Sequence, residues 1–428
     1  MITTEYIYDL FRKSSGVYTD SRKPLIDGIF VALKGPLFNG NHYALNAVDQ
    51  GALFAIVDDY KLSQKSEKLI HVEDTYSTLK NIANYHRKKL NCPVLAITGS
   101  NGKTTTKEII KVVLGKKYET HGTIGNLNNH IGVPLTILNT PLSSEFLIIE
   151  MGANHINEIA ELCLIAEPTH GFITNFGKAH IEGFGSEKGV IEGKSELYNY
   201  LSNTNGTIFV NIENKKQIKK LGGIPHISFG DSKKSNYKIS YLSRNNKLEL
   251  SFNGITINSS LHGEYNLKNI AAAIIIGYFF KIPTNKIKMA IESYKSDNNR
   301  SQLIKLKKYN IILDAYNANP SSMEVALKSF QKRYPTNSLI IIGDMLELGN
   351  LSTISHKKII QLVESLSFSK VISIGENFID TKVNSFDILQ FKTTKELIGY
   401  LKENSINEKN IFIKGSRSLG LEKILSFF

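Results

Sequence analysis

The sequence is poor in cysteine: only Cys92 and Cys163 occur in 428 residues, and neither has a partner at metal-ligand or redox spacing. That excludes a disulfide framework and agrees with a reducing compartment, so both thiols read as packing residues and a cytoplasmic location is expected. Long apolar runs are also missing. The most apolar helical stretch, residues 270–280, is too short to span a bilayer and reads as a buried core helix, so no membrane insertion is expected. Residues 1–22 carry Glu5 and Asp9 and no continuous apolar segment, which gives no sign of a secretory signal. Repeats and low-complexity tracts are absent, as is a Gly-x-Gly-x-x-Gly fingerprint, so a dinucleotide is not implied.

A hydrophobic content of 41% against 21% charged residues describes a globular chain, too long for one ordinary core. The formal charge is +13, but pairs such as Lys215-Lys216, Lys233-Lys234 and Lys357-Lys358 are scattered and not interleaved with aromatics. They read as solvated helix faces. No nucleic-acid partner is expected, and the charge favours small anionic substrates.

The stretch Val94-Leu-Ala-Ile-Thr-Gly-Ser-Asn-Gly-Lys-Thr-Thr-Thr-Lys-Glu108 reads as a buried strand, a glycine-hinged turn and a helix opening at Lys103-Thr104. Such a turn aims backbone N–H groups and a helix N-terminus at one point, which makes an anion site. Gly99, Ser100, Asn101, Gly102, Lys103, Thr104 and Thr105 would cradle phosphates, with Thr104 offering a hydroxyl to Mg²⁺. The strict Walker pattern has glycine where Ile97 stands, so this is a shorter relative. A chance Gly-Lys-Thr would lack the apolar strand before it and the amphipathic helix after it. The loop points to a nucleoside triphosphate.

The chain falls into three blocks, 1–88, 89–298 and 299–428. The first holds short strands at 29–33, 54–57 and 69–72. The second adds strands at 146–150, 171–175 and 207–211 between helical stretches, which predicts a parallel sheet with crossover helices. Within it, residues 237–261 alternate and contain Asn253-Gly254, a type I′ hairpin signal for an antiparallel flap. The third block alternates strands at 311–315, 339–343, 370–374 and 410–414 with helices such as 322–333 and 394–402, predicting a Rossmann-like sheet. The fold class is α/β, with three domains.

Three further residues are placed to join the phosphate loop. Glu150 ends an apolar strand at the carboxyl edge of the sheet, His180 follows the next strand, and Lys194 lies just beyond. A carboxylate, an imidazole and a hydroxyl suit Mg²⁺ bridging phosphate oxygens. Taken singly each has an ordinary alternative: a helix cap, a loop hydrogen-bonder, a solvated lysine.

Together with Thr19-Asp-Ser-Arg22, Phe30-Val-Ala-Leu-Lys-Gly35, Gly125-Asn-Leu-Asn-Asn-His-Ile-Gly-Val-Pro-Leu135, Asp314-Ala-Tyr-Asn-Ala-Asn-Pro320, Gly343-Asp-Met-Leu-Glu-Leu-Gly349 and Lys414-Gly-Ser-Arg-Ser-Leu-Gly-Leu-Glu422, they give nearly the whole chain a recognisable pattern. It resembles the Mur ligases of bacterial peptidoglycan synthesis, closest to the branch that joins D-Ala-D-Ala to a UDP-N-acetylmuramoyl-tripeptide. The resemblance implies a UDP-binding first domain, a central ATPase domain and a C-terminal domain for the amino substrate. It implies ATP-dependent amide formation through an acyl phosphate, a monomer, and domain closure over ATP. Lys103, Glu150, His180 and Lys194 are then the expected catalytic set, with Thr104, Glu150, His180 and Lys194 around two Mg²⁺ sites and Lys194 carbamylated. Asn269 is expected at adenine, Arg300 between domains, Asp314 at the ATP ribose, and Ser21 and Arg22 at the UDP group.

The sequence departs from that family pattern in places. Tyr265 stands where the family has histidine, and Leu313 and Ala315 replace an aspartate and a serine beside Asp314. The rival branch that adds the third stem residue carries Asp-Asn-Pro-Arg; here Asp297-Asn-Asn-Arg300 lacks the proline. Folylpolyglutamate synthase fits the first block and Thr104-Thr105 poorly. A non-catalytic nucleotide-binding regulator would not need intact Lys103, Glu150, His180 and Lys194.

Overall fold

Apolar runs without alternation fold into strands covered on both faces. In the computed structural model, which describes residues 2–242, 248–296, 299–381 and 388–428, Val94–Thr98 and Phe146–Glu150 are buried at every position, as central parallel strands require. Residues 243–247 of the alternating stretch, and the Asp297-Asn298 pair of the rival-motif comparison, lie outside the described residues. The two strands are neighbours in a seven-stranded parallel sheet. Its spatial order is Tyr237–Lys238, Ile227–Gly230, Thr207–Asn211, His170–Ile173, Val94–Thr98, Phe146–Glu150, Thr120–Gly122. The strand expected at 171–175 stops at Ile173, because Thr174 and Asn175 turn away to bond the phosphate loop.

The first block is a four-stranded parallel sheet in the order Val17–Tyr18, Ile29–Val31, Phe54–Val57, Leu69–His71. The helix Thr75–Lys89, capped by Asp74, carries the chain out of it and packs on Gly132–Leu138 and Glu158–Ala166 of the central block. Its buried His86 bonds Tyr8 Oη at 2.9 Å and the Thr140 carbonyl at 2.8 Å. One apolar cluster therefore runs unbroken from Ile7 and Phe11 to Leu147 and Ile149.

The antiparallel flap is shorter than the 237–261 stretch: Tyr237–Lys238 joins the parallel sheet, leaving Ser240–Tyr241, Leu248–Phe252 and Ile255–Ser259, and Asn253 and Gly254 take φ of 50° and 75° as a type I′ turn demands. The apolar helix Asn266–Phe279 is buried and packs on Lys103–Leu114, behind the phosphate loop. Cys92 and Cys163 are buried free thiols, and no helix of the described residues is long and apolar enough to cross a membrane. The C-terminal sheet has the order Gln302–Lys305, Asn310–Asp314, Asn410–Lys414, Ser338–Gly343, Lys370–Ile374, Ile388–Phe391. Only the edge strand Gln302–Lys305 is antiparallel.

His170 opens its strand against Phe279 and Phe280, with ring centroids 5.8 and 4.9 Å apart. Burial draws its pKa down to about 4, whereas the unfolded chain titrates near 6.5. The unfolded state thus takes up the proton first as pH falls. The stability His170 contributes is complete above about pH 6.5 and is lost on the way down through the folded value. Melting His170→Phe across that window should show a shallower decline than the parent; an identical decline would remove His170 as a source.

Candidate active site at the phosphate loop

The loop depends on two glycines. Gly99 and Gly102 adopt φ of +136° and +80°; a Cβ on Gly99 would overlap Thr174 Oγ1, and one on Gly102 would sit 2.9 Å from Asn269 Oδ1. Gly102 caps the helix Lys103–Leu114, so its first N–H groups open toward the loop. Thr104 and Thr105 are buried, while the Lys103 ammonium donates to the Gly99 carbonyl at 2.8 Å. Burial pushes the Lys103 pKa down; the Glu150 carboxylate opposes this and the Arg300 charge adds to it.

The chain after Ile173 grips the loop from the side. Ser100 Oγ donates to the Gly177 carbonyl and accepts from its N–H, both at 2.9 Å. Asn175 Nδ2 and Thr174 Oγ1 donate to the Asn101 carbonyl at 2.8 and 2.6 Å. A turn held in this way is pre-shaped, with little ordering left to be done if a ligand arrives.

Glu150 stands opposite Ile97 in the strand register, one strand from the loop. Its Oε1 accepts from Asn128 Nδ2 at 2.7 Å and its N–H donates to Thr123 Oγ1 at 2.9 Å, while Oε2 is buried without a partner. Lys194 is fully buried; its Nζ has no hydrogen-bond partner and lies 5.2 Å from the Phe184 ring centre. Burial, then the nearby Lys103 charge, lowers its pKa to about 7. Buried charges and acceptors are normally paired. A carboxylate oxygen and an amine left unpaired beside one phosphate loop fit a Mg²⁺ ligand and a lysine open to modification. The described residues contain no cluster of three or more His, Cys, Asp or Glu side chains suited to a metal.

His180 takes a left-handed backbone, φ +55°, and its Nδ1 lies 2.6 Å from Glu347 Oε2 of the C-terminal block. The distance is that of a short hydrogen bond, although the two groups are poorly aligned, and the imidazole holds the Glu347 carboxyl below the usual carboxylate range. Asn101 reaches the same block, donating to Ser321 Oγ at 3.0 Å and accepting from Asn319 Nδ2 at 2.7 Å. Arg300 stacks on Tyr316 at 3.7 Å, and Arg417 approaches the same ring at 4.8 Å. Asp314 accepts from Lys414 Nζ at 2.6 Å and from the Ser301 N–H at 3.1 Å, so its carboxylate is already engaged. Asn269 bonds Asn266 at 2.9 Å beneath Gly102. Among the described residues no hydrogen bond brings Ser21 or Arg22 to the loop, and Arg22 pairs with Asp20 at 2.8 Å. Asn128, Thr123, Asn175, Asn319, Ser321, Lys414 and Glu347 join the site only in the fold, since nothing local in the sequence reveals a loop residue's distant partner.

A phosphate loop with an acidic neighbour, touched by a second parallel-sheet block, defines an ATP-using enzyme built from separate modules. The Mur ligase middle domain matches residues 97–277, and the Mur ligase glutamate ligase domain matches 299–417. The UDP-N-acetylmuramoyl-tripeptide–D-alanyl-D-alanine ligase of Bacillus subtilis (strain 168) is 32% identical over 423 residues, covering 96% of this chain and 92% of that protein. Crystal structures of MurF from Acinetobacter baumannii (26% identity, TM-score 0.85, 97% of both chains) and of MurF from Thermotoga maritima with ADP (25%, 0.84, 98% of both) share the architecture. The chain belongs to the Mur ligase family, among its UDP-N-acetylmuramoyl-tripeptide–D-alanyl-D-alanine ligases.

Proposed function

We propose that this enzyme joins D-Ala-D-Ala to UDP-N-acetylmuramoyl-tripeptide at the expense of ATP, in peptidoglycan precursor synthesis. The substrates are supported by the 32% identity, over nearly the whole chain, to a ligase of that name, and the chemistry by the pair of buried, unpartnered groups, Glu150 Oε2 and Lys194 Nζ, beside a preformed phosphate loop. The blocks 1–88, 89–298 and 299–428 serve as the UDP-binding, ATP-binding and amino-substrate domains, with Ser21 and Arg22 meeting the UDP group. Asn269, Arg300 and Asp314 line the nucleotide side; Asp314 would exchange its bonds to Lys414 and Ser301 for the ribose.

A carboxylate is a poor electrophile, so the tripeptide's terminal carboxylate oxygen first attacks the γ-phosphorus. The bond to the bridging oxygen breaks, ADP leaves, and an acyl phosphate remains. The dipeptide amine then attacks the acyl carbon through a tetrahedral intermediate, losing a proton as inorganic phosphate departs. Both steps spread negative charge, which Lys103 and the loop N–H groups are placed to stabilise. Thr104 and Glu150 would hold one Mg²⁺ and His180 a second, and the bound cations supply charge neutralisation at the phosphate oxygens. A Lys194 amine that is neutral in part near pH 7 can add through Nζ to CO₂ with loss of a proton. The carbamate turns a repelling cation into an oxygen donor.

Phosphate release from ATP should require UDP-N-acetylmuramoyl-tripeptide and D-Ala-D-Ala together, each alone giving little. Turnover indifferent to both would end the ligase reading.

A further inference from the structure

The loop carrying Glu347 is held more firmly than an exposed carboxylate needs. The Met345 N–H donates to Nε2 of the fully buried His356 at 3.0 Å, and the Leu346 N–H to Ser416 Oγ at 3.2 Å. Asp344 accepts from the N–H groups of Asn377 and Phe378 and from Asn377 Nδ2, at 2.9–3.1 Å. Met345 and Leu348 are buried in the C-terminal core on either side. Glu347 itself is left-handed, φ +62°, and Gly349, φ +50°, lies against Glu182, two residues beyond His180. Two non-glycine residues in a sparsely populated conformation thus face each other across the domain boundary. Such strain persists where surrounding contacts over-determine it, and it gathers at working sites.

The chemistry of the pair is directional. A carboxylate accepting from imidazole Nδ1–H fixes the tautomer whose Nε2 lone pair is free for a metal, and raises its basicity. In the present geometry the groups touch without alignment, as bonds of this kind often do before ligand tightens them. His180 belongs to the central block, Glu347 to the C-terminal one. We propose that Glu347 is a positioning residue that orients His180 only when the C-terminal domain is docked, making metal capture at His180 conditional on domain closure. The proposal rests on His180 being a metal ligand, as in the ligase reading above.

The test is a double-mutant cycle in Mn²⁺ affinity, measured by EPR on the full chain with ADP and no other substrate, alongside thermal melts. His180→Ala and Glu347→Ala should each weaken Mn²⁺ about 10–100-fold, the double variant should be no weaker than His180→Ala, and Glu347→Gln, which keeps an acceptor, should recover part of the loss. A structural role would instead lower the melting temperature or add to His180→Ala in the double variant, and either result overturns the proposal. Weakening by His180→Ala but not by Glu347→Ala also overturns it and leaves the metal reading standing. If neither single variant weakens Mn²⁺, the metal reading fails and takes the proposal with it.

Discussion

Lys194→Ala is expected to lower amide formation by about 10²–10³-fold, the scale of losing one aligned electrostatic contributor, and added formate or acetate should restore part of the rate. The reasoning starts from burial. Lys194 has no hydrogen-bond partner, and the Lys103 charge is close enough to add to the lowering of its pKa. A permanent ammonium there would oppose both Lys103 and any cation at Glu150. Carbamylation would reverse the sign of the group and supply an oxygen that a small carboxylate could mimic once alanine has opened the space. Full activity without rescue would leave the buried lysine as packing alone.

The second large effect is expected at Lys103. Lys103→Met keeps the bulk of the side chain and removes its charge, and should cost about 10²–10³-fold in turnover. The ammonium donates to the Gly99 carbonyl, and burial disfavours its charged form. A neutral isostere removes that desolvation cost, so the melting temperature should hold or rise while catalysis collapses. A large fall in melting temperature with proportionate loss of activity would mark a structural lysine instead.

Much of the scaffold was legible because burial writes itself into composition. Phe146–Glu150, Thr207–Asn211, Lys370–Ile374 and Asn410–Lys414 fall where continuous apolar runs place them, and the Asn253-Gly254 turn follows from positive φ alone. The edge strand Gln302–Lys305 did not stand out, since its half-buried residues need neither an apolar run nor clean alternation. The phosphate loop was readable as a local unit. Its supports were not: Asn128 on Glu150, Asn175 on Asn101 and Glu347 against His180 are polar contacts between segments far apart in sequence. Each requires the tertiary fold before a partner exists. The unpartnered Nζ of Lys194 is likewise a property of its surroundings, and a lysine letter carries no trace of it.

In the proposed reaction a substrate carboxylate is phosphorylated at this loop before an amide forms. The most direct measurement uses UDP-N-acetylmuramoyl-tripeptide labelled with ¹⁸O in its terminal carboxylate, with ATP, Mg²⁺ and D-Ala-D-Ala, followed by mass analysis of product and inorganic phosphate. One labelled oxygen is expected in each phosphate released per pentapeptide formed. Product formed with unlabelled phosphate, or phosphate released without product, would contradict it.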